Sequence, residues 1–588
     1  MSFLKCLLPL VDVEHLDSRL VPRPATEDSG SNTSTSSTNN GNKESIKEKK
    51  TGKKGAVVAG KSLWGTLEFK LYYVIFILVV PQMFMAGYRA SSSKNENYYR
   101  YQHLLSDGWL FGRKVDNSDA QYRFFRDHFW LLVAIVPVHV IIKRYVLGFT
   151  GASKFKFDAL LGCFVLFGAH GVNSLRIAAH MFILYSIAHL LKKWKKLAVI
   201  LTWVYGISTL FINDNYRAYP FGQIWSILSP LDTMSRGIIE RWDVFFNFSL
   251  LRMISYNLDY LTRYELSTKG DDSSKKNDDI NNAELLYNDK ARMNAVLPME
   301  DYGVVNYLAY MIYTPLFIAG PIITFNDYIF QSKRTLPSIK KDFIIWYAIR
   351  FVFTVLFMEL ILHFFYVVAI SKTKAWDNDS PFEISMIGLI NLNIIWFKLM
   401  IPWRLFRLWA LLDGIDTPEN MIRCVDNNYS ALAFWRAWHR SYNKWVVRYI
   451  YVPLGGSKNR IITSLAVFSF VAVWHDIQLK LLLWGWMVVL FLLPEMFATN
   501  YFSQFREKPW YRHICALGGA VNIWLMMIAN LFGFCLGSDG TKKLLADMFA
   551  TWSGFLFVIL SFMSLFVGVQ LMFEIREEEK RNGIDLKC

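Results

Sequence analysis

The stretch IITSLAVFSFVAVWHDIQLKLLLWGWMVVLFLLP, Ile461 to Pro494, decides the fold class. Ile461 to Trp474 carry no charge, and a second uncharged run extends from Leu481 to Pro494. Both read as segments in the hydrocarbon of a bilayer, where a helix of about 20 apolar residues spans the core. Between them stand His475, Asp476 and Lys480. Polar groups at such a place are costly unless they are paired or working. An imidazole is the side chain best suited to taking a proton near neutral pH. Position alone leaves His475 open between a catalytic base and a helix-end histidine at the headgroup level.

The rest of the 588-residue chain repeats the pattern. It is 53% hydrophobic, with a mean hydropathy of +0.23. Its apolar residues come in long runs, which predicts an all-α polytopic membrane protein and excludes a set of soluble domains. The 21 Trp and 29 Tyr suit aromatic belts at the two interfaces. The runs predict about 11 to 13 membrane segments. Several are too short to span, and such helices are tolerated only where they line a cavity or lie inside protein. A helical body with an internal tunnel is therefore expected.

The net charge of +16 sits largely in the N-terminal tail and in short loops such as Lys192-Lys193-Trp194-Lys195-Lys196. It reads as positive-inside topology, with contact to anionic headgroups or phosphates as the alternative. No nucleic-acid partner is expected. Residues 1–62 read as a disordered polar and basic tail, residues 63–573 as the membrane body, and residues 574–588 as a charged C-terminal tail. A flexible polar loop is expected at about 267–289, where Asp271-Asp272-Ser273-Ser274-Lys275-Lys276 stand. The six cysteines are scattered without CxxC spacing, so neither a disulfide framework nor a metal site is implied. No P-loop, GxGxxG or GxSxG string is present, which leaves nucleotidase, dinucleotide and esterase readings without support.

A second segment carries chemistry. Phe434 to Gly456 reads FWRAWHRSYNKWVVRYIYVPLGG. Arg436, Arg440, Lys444 and Arg448 recur every four residues, which predicts one basic stripe on a helix ended by Pro453 and Gly455-Gly456. The stripe suits phosphates of a cofactor or a lipid headgroup, or plain interfacial snorkelling. His439 lies within it, and with His475 it makes a pair able to share a proton relay. Arg404 and Arg407 stand at a helix end as further phosphate ligands or snorkelling cations. In YTPLFIAGPIITFNDY, Tyr313 to Tyr328, Pro315, Gly320 and Pro321 predict a broken helix suited to a tunnel wall. Glu359 and His363, four apart in an apolar run, share a helix face.

The strings FWRAWHRSYNKWVVRYIYVPLGG and VAVWHDI resemble the membrane-bound O-acyltransferase family. Further stretches resemble the fungal glycerol-uptake branch of that family: GWLFGRKVDNSDAQYRFFRD at Gly108 to Asp127, FINDNYRAYPFG at Phe211 to Gly222, LDGIDTPENMIRCVDNNYS at Leu412 to Ser430, and the end MFEIREEEKRNGIDLKC. The likeness runs from about Leu63 to the C-terminus. It implies many helices around a tunnel and transfer of an acyl group from acyl-CoA, a cosubstrate rather than a tightly bound cofactor, to a hydroxyl. It implies that His475 is the catalytic histidine and His439 the second, more variable motif position. It implies as acceptor the sn-2 hydroxyl of lyso-glycosylphosphatidylinositol (lyso-GPI) on anchored proteins, with a very-long-chain acyl group, in the endoplasmic reticulum membrane, with the plasma membrane as a second location. On this reading Arg436, Arg440, Lys444, Arg448, Arg404 and Arg407 hold the CoA phosphates. The alternatives are a glycerol/proton symporter working through Glu359 and His363, and a protein acyltransferase resembling the hedgehog acyltransferases.

Overall fold

The computed structural model describes residues 10, 12–20, 60–239, 241–269, 282–584 and 586. Most of the expected N-terminal tail (21–59) and the centre of the expected polar loop (270–281) lie outside them. Among the described residues, nine helices are long and apolar enough to cross a membrane. The all-α polytopic reading holds. The remaining segments counted in the sequence, near residues 242–260, 304–318 and 462–474, are shorter or more polar elements, the first two largely buried.

The body opens with α1 (Leu67–Ala90), whose first turn is capped by the Thr66 side chain. The hairpin β1 (Leu105–Asp107) and β2 (Lys114–Asp116) follows, antiparallel, with Leu105 opposite Asp116. Next come α2 (Phe129–Thr150), α3 (Lys154–His170), α4 (Ser174–Leu190) and α5 (Lys195–Tyr216). Helices α3 and α4 are one apolar span bent at Gly171, where φ is +51°. A Cβ there would run into the Ser235 carbonyl, so the bend needs glycine.

The central pillar is α6 (Trp242–Thr268). It is too polar to pass as a span, yet most of it is buried. Several of its buried polar side chains find partners on neighbouring elements, as groups away from water generally do. Asn257 donates to the Leu184 carbonyl (2.8 Å) and the Thr202 hydroxyl (3.1 Å). Arg252 donates to the carbonyls of Met311 (3.0 Å) and Leu316. Those carbonyls belong to the proline-broken stretch between α7 (Val304–Met311) and α8 (Phe325–Lys333). The break is as expected.

The second half of the chain runs through α9 (Lys341–Phe364) and α10 (Pro381–Leu412), the latter started by a reciprocal capping box between Ser380 and Glu383. Two short helices follow, α11 (Ala431–Ala437) and α12 (Arg440–Val446). Then come α13 (Arg460–His475), α14 (Leu479–Phe502), α15 (Tyr511–Asn530), α16 (Gly537–Ala550) and α17 (Trp552–Arg581).

Both expected tails reach the body. Asp17 is fully buried and accepts from Arg440 at 2.8 Å. Arg19 pairs with Asp416 at 2.6 Å, and the Leu16 carbonyl accepts from Arg407 at 2.7 Å. Ordered packing therefore begins well before Leu63. At the other end, the charged residues after 573 continue α17, and Arg423 forks onto Glu579 at 2.8 and 2.9 Å.

Candidate active site

The expected single basic helix is two helices. Ser430 caps α11 by accepting from the Ala433 amide at 3.1 Å, and Glu495 of α14 accepts from the Ala431 amide at 2.9 Å. The helix stops after Ala437 because His439 adopts a left-handed conformation, φ +42° and ψ +54°. That region is uncommon for a non-glycine residue and costs roughly 1–3 kcal/mol, so its surroundings must impose it. Asn420 does so: its carbonyl accepts the Arg440 amide (3.1 Å) and its side chain accepts the Ser441 amide (3.0 Å), which starts α12 afresh. Helix α12 runs on into a π-turn, Val447–Tyr451, closed by the Val452 amide on the Val447 carbonyl. Such turns are frequent at functional sites.

The break turns the His439 ring into an aromatic stack. Its centroid lies 4.3 Å from that of Trp403 and 5.1 Å from that of Tyr442. Tyr442 stacks on Trp474 at 4.6 Å, and Trp474 lies edge-on to His475 at 4.8 Å. Trp474 is thus the spacer between the two histidines, with its ring centroid 6.4 Å from that of His439. His439 is buried, and among the described residues neither its Nε2 nor the Tyr442 hydroxyl has a hydrogen-bond partner.

His475 is the last residue of α13. At 1.5 Å per residue this 16-residue helix is about 24 Å long, short of the roughly 30 Å hydrocarbon core. Helix α14 returns after only Asp476 to Gln478. Asp476 makes no hydrogen bond to the histidine and accepts from the Gln478 side chain at 2.7 Å. The His475 ring makes no hydrogen bond among the described residues and opens into a chamber of about 2250 Å³ that His439 and Tyr442 also line. The remaining lining is mostly apolar and comes from α1, α10, α13 and α17 among others, including Phe76, Trp396 and Leu560. A mostly apolar lining disfavours water, and an imidazole without a hydrogen bond can take a proton from a group brought beside it.

Of the predicted phosphate ligands, Arg436 of α11 lines the chamber, exposed and without a carboxylate partner among the described residues. The others are already matched. Arg440 pairs with Asp17, Lys444 with Asp289, and Arg448 with Asp259 at 3.0 Å. Arg404 and Arg407 both reach Glu419 (3.3 and 3.0 Å), and Arg407 also reaches Asp416 (3.3 Å). The break at His439 scatters the four-residue stripe. The sequence pattern did not reveal it because the carboxylates come from residues 17, 259, 289, 416 and 419.

Two further expectations meet different surroundings. The Glu359 carboxylate is held by Arg126 (2.9 Å) and the Tyr122 hydroxyl (3.0 Å), while His363 turns its Nδ1 to the Glu359 carbonyl (2.6 Å). The two side chains do not form the pair a proton-driven symporter would need. The broken stretch at Gly320-Pro321 lies behind α12 instead of lining the chamber, and its Ile322 amide donates to the Ser441 hydroxyl at 2.9 Å. One residue escaped the sequence reading altogether. Asn247 of α6 donates to the Trp474 carbonyl at 2.9 Å, and the Trp474 indole donates back to the Asn247 carbonyl at 2.9 Å. Its only sequence signal was one amide in the mixed run Trp242 to Tyr260.

A family model described as the membrane-bound O-acyltransferase family matches residues 197–538. The chain is 65% identical over 589 residues to a membrane-bound O-acyltransferase of Saccharomyces cerevisiae, with all of both chains covered. It is 39% identical over 548 residues to a membrane-bound O-acyltransferase of Schizosaccharomyces pombe, covering 91% of this chain and 92% of the other. A protein-cysteine N-palmitoyltransferase of Mus musculus is 28% identical over 194 residues, covering 30% of this chain and 37% of the other.

Proposed function

The chain belongs to the membrane-bound O-acyltransferase family, and on that premise we propose that His475 is the base with which it moves an acyl group from acyl-CoA to a lipid hydroxyl. The observation that carries this reading is the His475 ring opening, without a hydrogen bond, into the large apolar chamber.

An alcohol is a weak nucleophile until a positioned base takes its proton. His475 accepts the hydroxyl proton as the oxygen attacks the thioester carbonyl carbon. The carbon–sulfur bond then breaks, and the imidazolium returns the proton to the departing CoA thiolate. The products are an ester and free CoA thiol. His439 supplies a ring N–H toward the carbonyl oxygen, where charge builds up in the transition state. The apolar chamber holds the acyl chain and keeps water from the thioester. CoA phosphates require cations that are not already neutralised. Arg436, with Arg460 at the start of α13, meets that requirement, since both line the chamber without ion pairs among the described residues. Arg440, Lys444, Arg448, Arg404 and Arg407 hold the scaffold behind it.

The acceptor we assign is the sn-2 hydroxyl of lyso-GPI on anchored proteins, in the endoplasmic reticulum membrane. A chamber walled by membrane helices α1, α10 and α17 favours an acceptor that arrives from the bilayer. The relatives at 65% and 39% identity are named as O-acyltransferases, whereas those named for N-palmitoyl transfer are more distant, at 28% over 30% of this chain and 22% over 76% of it. The test is purified protein with acyl-CoA and lyso-GPI, read by mass spectrometry of the lipid. Transfer by wild type that vanishes in His475→Ala is expected. Wild-type-like transfer by that variant removes His475 as the base, and no transfer to lyso-GPI by wild type removes this acceptor.

A further inference from the structure

A second cavity, of about 520 Å³, lies between α4 and α5, apart from the chamber. Trp242 at the start of α6 forms one wall, and the segment Tyr219 to Leu228 roofs it. The roof is fixed by the Asp232 carboxylate, which accepts the amides of Phe221 (2.7 Å) and Gly222 (2.8 Å), so that acid is occupied. Outside the cavity the roof presents Trp225 and Ile227, both more than half exposed. An exposed apolar row with a tryptophan belongs at the membrane interface.

Inside, Arg176 has its guanidinium 4.1 Å from the Phe221 ring and 5.9 Å from the Trp242 ring. One of its NH₂ groups donates to the Tyr219 carbonyl, and its Nε has no partner. No carboxylate forms an ion pair with it among the described residues. Asn213, only 5% exposed, lies beside His180, and its side-chain Nδ2 makes no close hydrogen bond among the described residues. His180 is already engaged by the Tyr205 hydroxyl at 2.7 Å. Among the described residues the cavity therefore holds a guanidinium that makes no ion pair, its nearby opposing charge Asp232 being engaged by the roof amides, together with the Arg176 Nε and Asn213 Nδ2 donors, among apolar and aromatic walls. A guanidinium fork fits a phosphate.

We infer that the α4–α5 cavity is a binding site for the phosphate ester headgroup of a membrane amphiphile, with Arg176 and Asn213 as its ligands. The phosphate takes the free guanidinium edge and the Asn213 amide, and the lipid's apolar part lies along Leu175 and Ile212 beneath the roof. The headgroup comes either from a resident phospholipid or from the phosphate-bearing acceptor. The second source rests on the proposed acyl transfer, and the first does not.

The probe is phosphatidylinositol carrying a photoactivatable group near its headgroup, added to the full chain in nanodiscs. Labelling is expected on peptides containing Arg176, Asn213 or the roof. Arg176→Gln is expected to lower that labelling about tenfold, the size of one lost charge-assisted contact, with Arg176→Lys intermediate. Size-exclusion profiles separate this from misfolding, and Asn213→Leu gives an independent variant. Diacylglycerol and oleate are expected to compete poorly. Labelling of Arg176→Gln equal to wild type, or competition by diacylglycerol or oleate as strong as by phosphatidylinositol, overturns the site. If Arg176→Gln also raises KM for a phosphate-bearing acceptor at unchanged kcat, the headgroup is the acceptor's. If labelling falls at unchanged KM, it belongs to a resident lipid. A chain that labels in this way but lacks acyl transfer keeps this site and loses the proposed function.

Discussion

Asn247 and Trp474 hold each other by two hydrogen bonds of 2.9 Å, one in each direction. The relationship matters because Trp474 is the penultimate residue of α13, where the last carbonyls have no partner within the helix. Asn247 satisfies one of them from α6. The indole, fixed in return, is the surface on which His475 and Tyr442 rest.

The first prediction follows from that clamp. Asn247→Leu removes the donor and leaves the Trp474 carbonyl unsatisfied, a loss of about 1–3 kcal/mol. Because the disturbed residue adjoins His475, kcat should fall about tenfold or more with little change in acceptor KM. Asn247→Asp, which sets an acceptor against an acceptor, should fall further, and Asn247→Gln should recover part of the rate. Steady-state kinetics on reconstituted protein decide it. A change confined to thermal stability, with kcat intact, would show that the clamp is only structural.

Loss of His475 should act on chemistry alone. The ring makes no hydrogen bond among the described residues and fills open space, so His475→Ala should leave folding nearly unchanged. Positioned general bases contribute typically about 10²–10⁴-fold. Single-turnover acyl transfer should drop by that range, while binding of a non-transferable acyl-CoA analogue stays within a few fold. Loss of analogue binding would instead place His475 in the donor site.

These two residues mark the limits of the sequence. His475 was legible because two uncharged runs isolate it, and in a membrane an isolated polar group stands out. Asn247 was not, since α6 is polar along its length and its matched groups lie far away in the chain. The broken helix at Pro315 and Pro321 was legible because proline removes a donor wherever it sits. The break at His439 was invisible. Nothing in Arg436, Arg440, Lys444 and Arg448 announces an interruption, and the cause is Asn420 in a preceding loop. For the same reason the stripe looked free to bind phosphate, when its carboxylates come from distant segments.

The His439 backbone gives a prediction of its own. A residue at φ +42° is best replaced by asparagine, which tolerates the left-handed region, and worst by a β-branched residue. His439→Asn should keep a thermal midpoint near wild type and retain measurable transfer, since the amide still offers an N–H. His439→Val should lower stability by about 1–2 kcal/mol beyond the lost ring stacking and abolish transfer. Thermal unfolding in detergent, beside the transfer assay, separates the two effects. Equal midpoints for the Asn and Val variants would remove backbone strain from the explanation.

The last prediction concerns acid and the docked N-terminal segment. Burial by itself raises the Asp17 carboxyl, but Arg19, Arg440, Arg407 and Lys444 outweigh it and hold the group well below its ordinary 3.8. Asp289 behaves alike: burial raises it, and Lys444 with Arg19 brings it down to about 2. A carboxyl depressed by folding adds stability that is complete above its unfolded value and lost as pH falls toward its folded one. The seating of residues 12–20 on α12 should therefore be constant from neutral pH down to about 5 and loosen below about 4. Asp17→Asn should produce the loosening at neutral pH, because removing one member of a buried pair costs about 3–5 kcal/mol. Hydrogen exchange of residues 12–20 reads both effects. Lower protection, taken relative to the intrinsic exchange rate at each pH, is expected in the variant at pH 7 and in wild type at pH 3.5. A segment equally protected in all three conditions would mean that its apolar contacts, Leu16 and Leu20, hold it without the charge network.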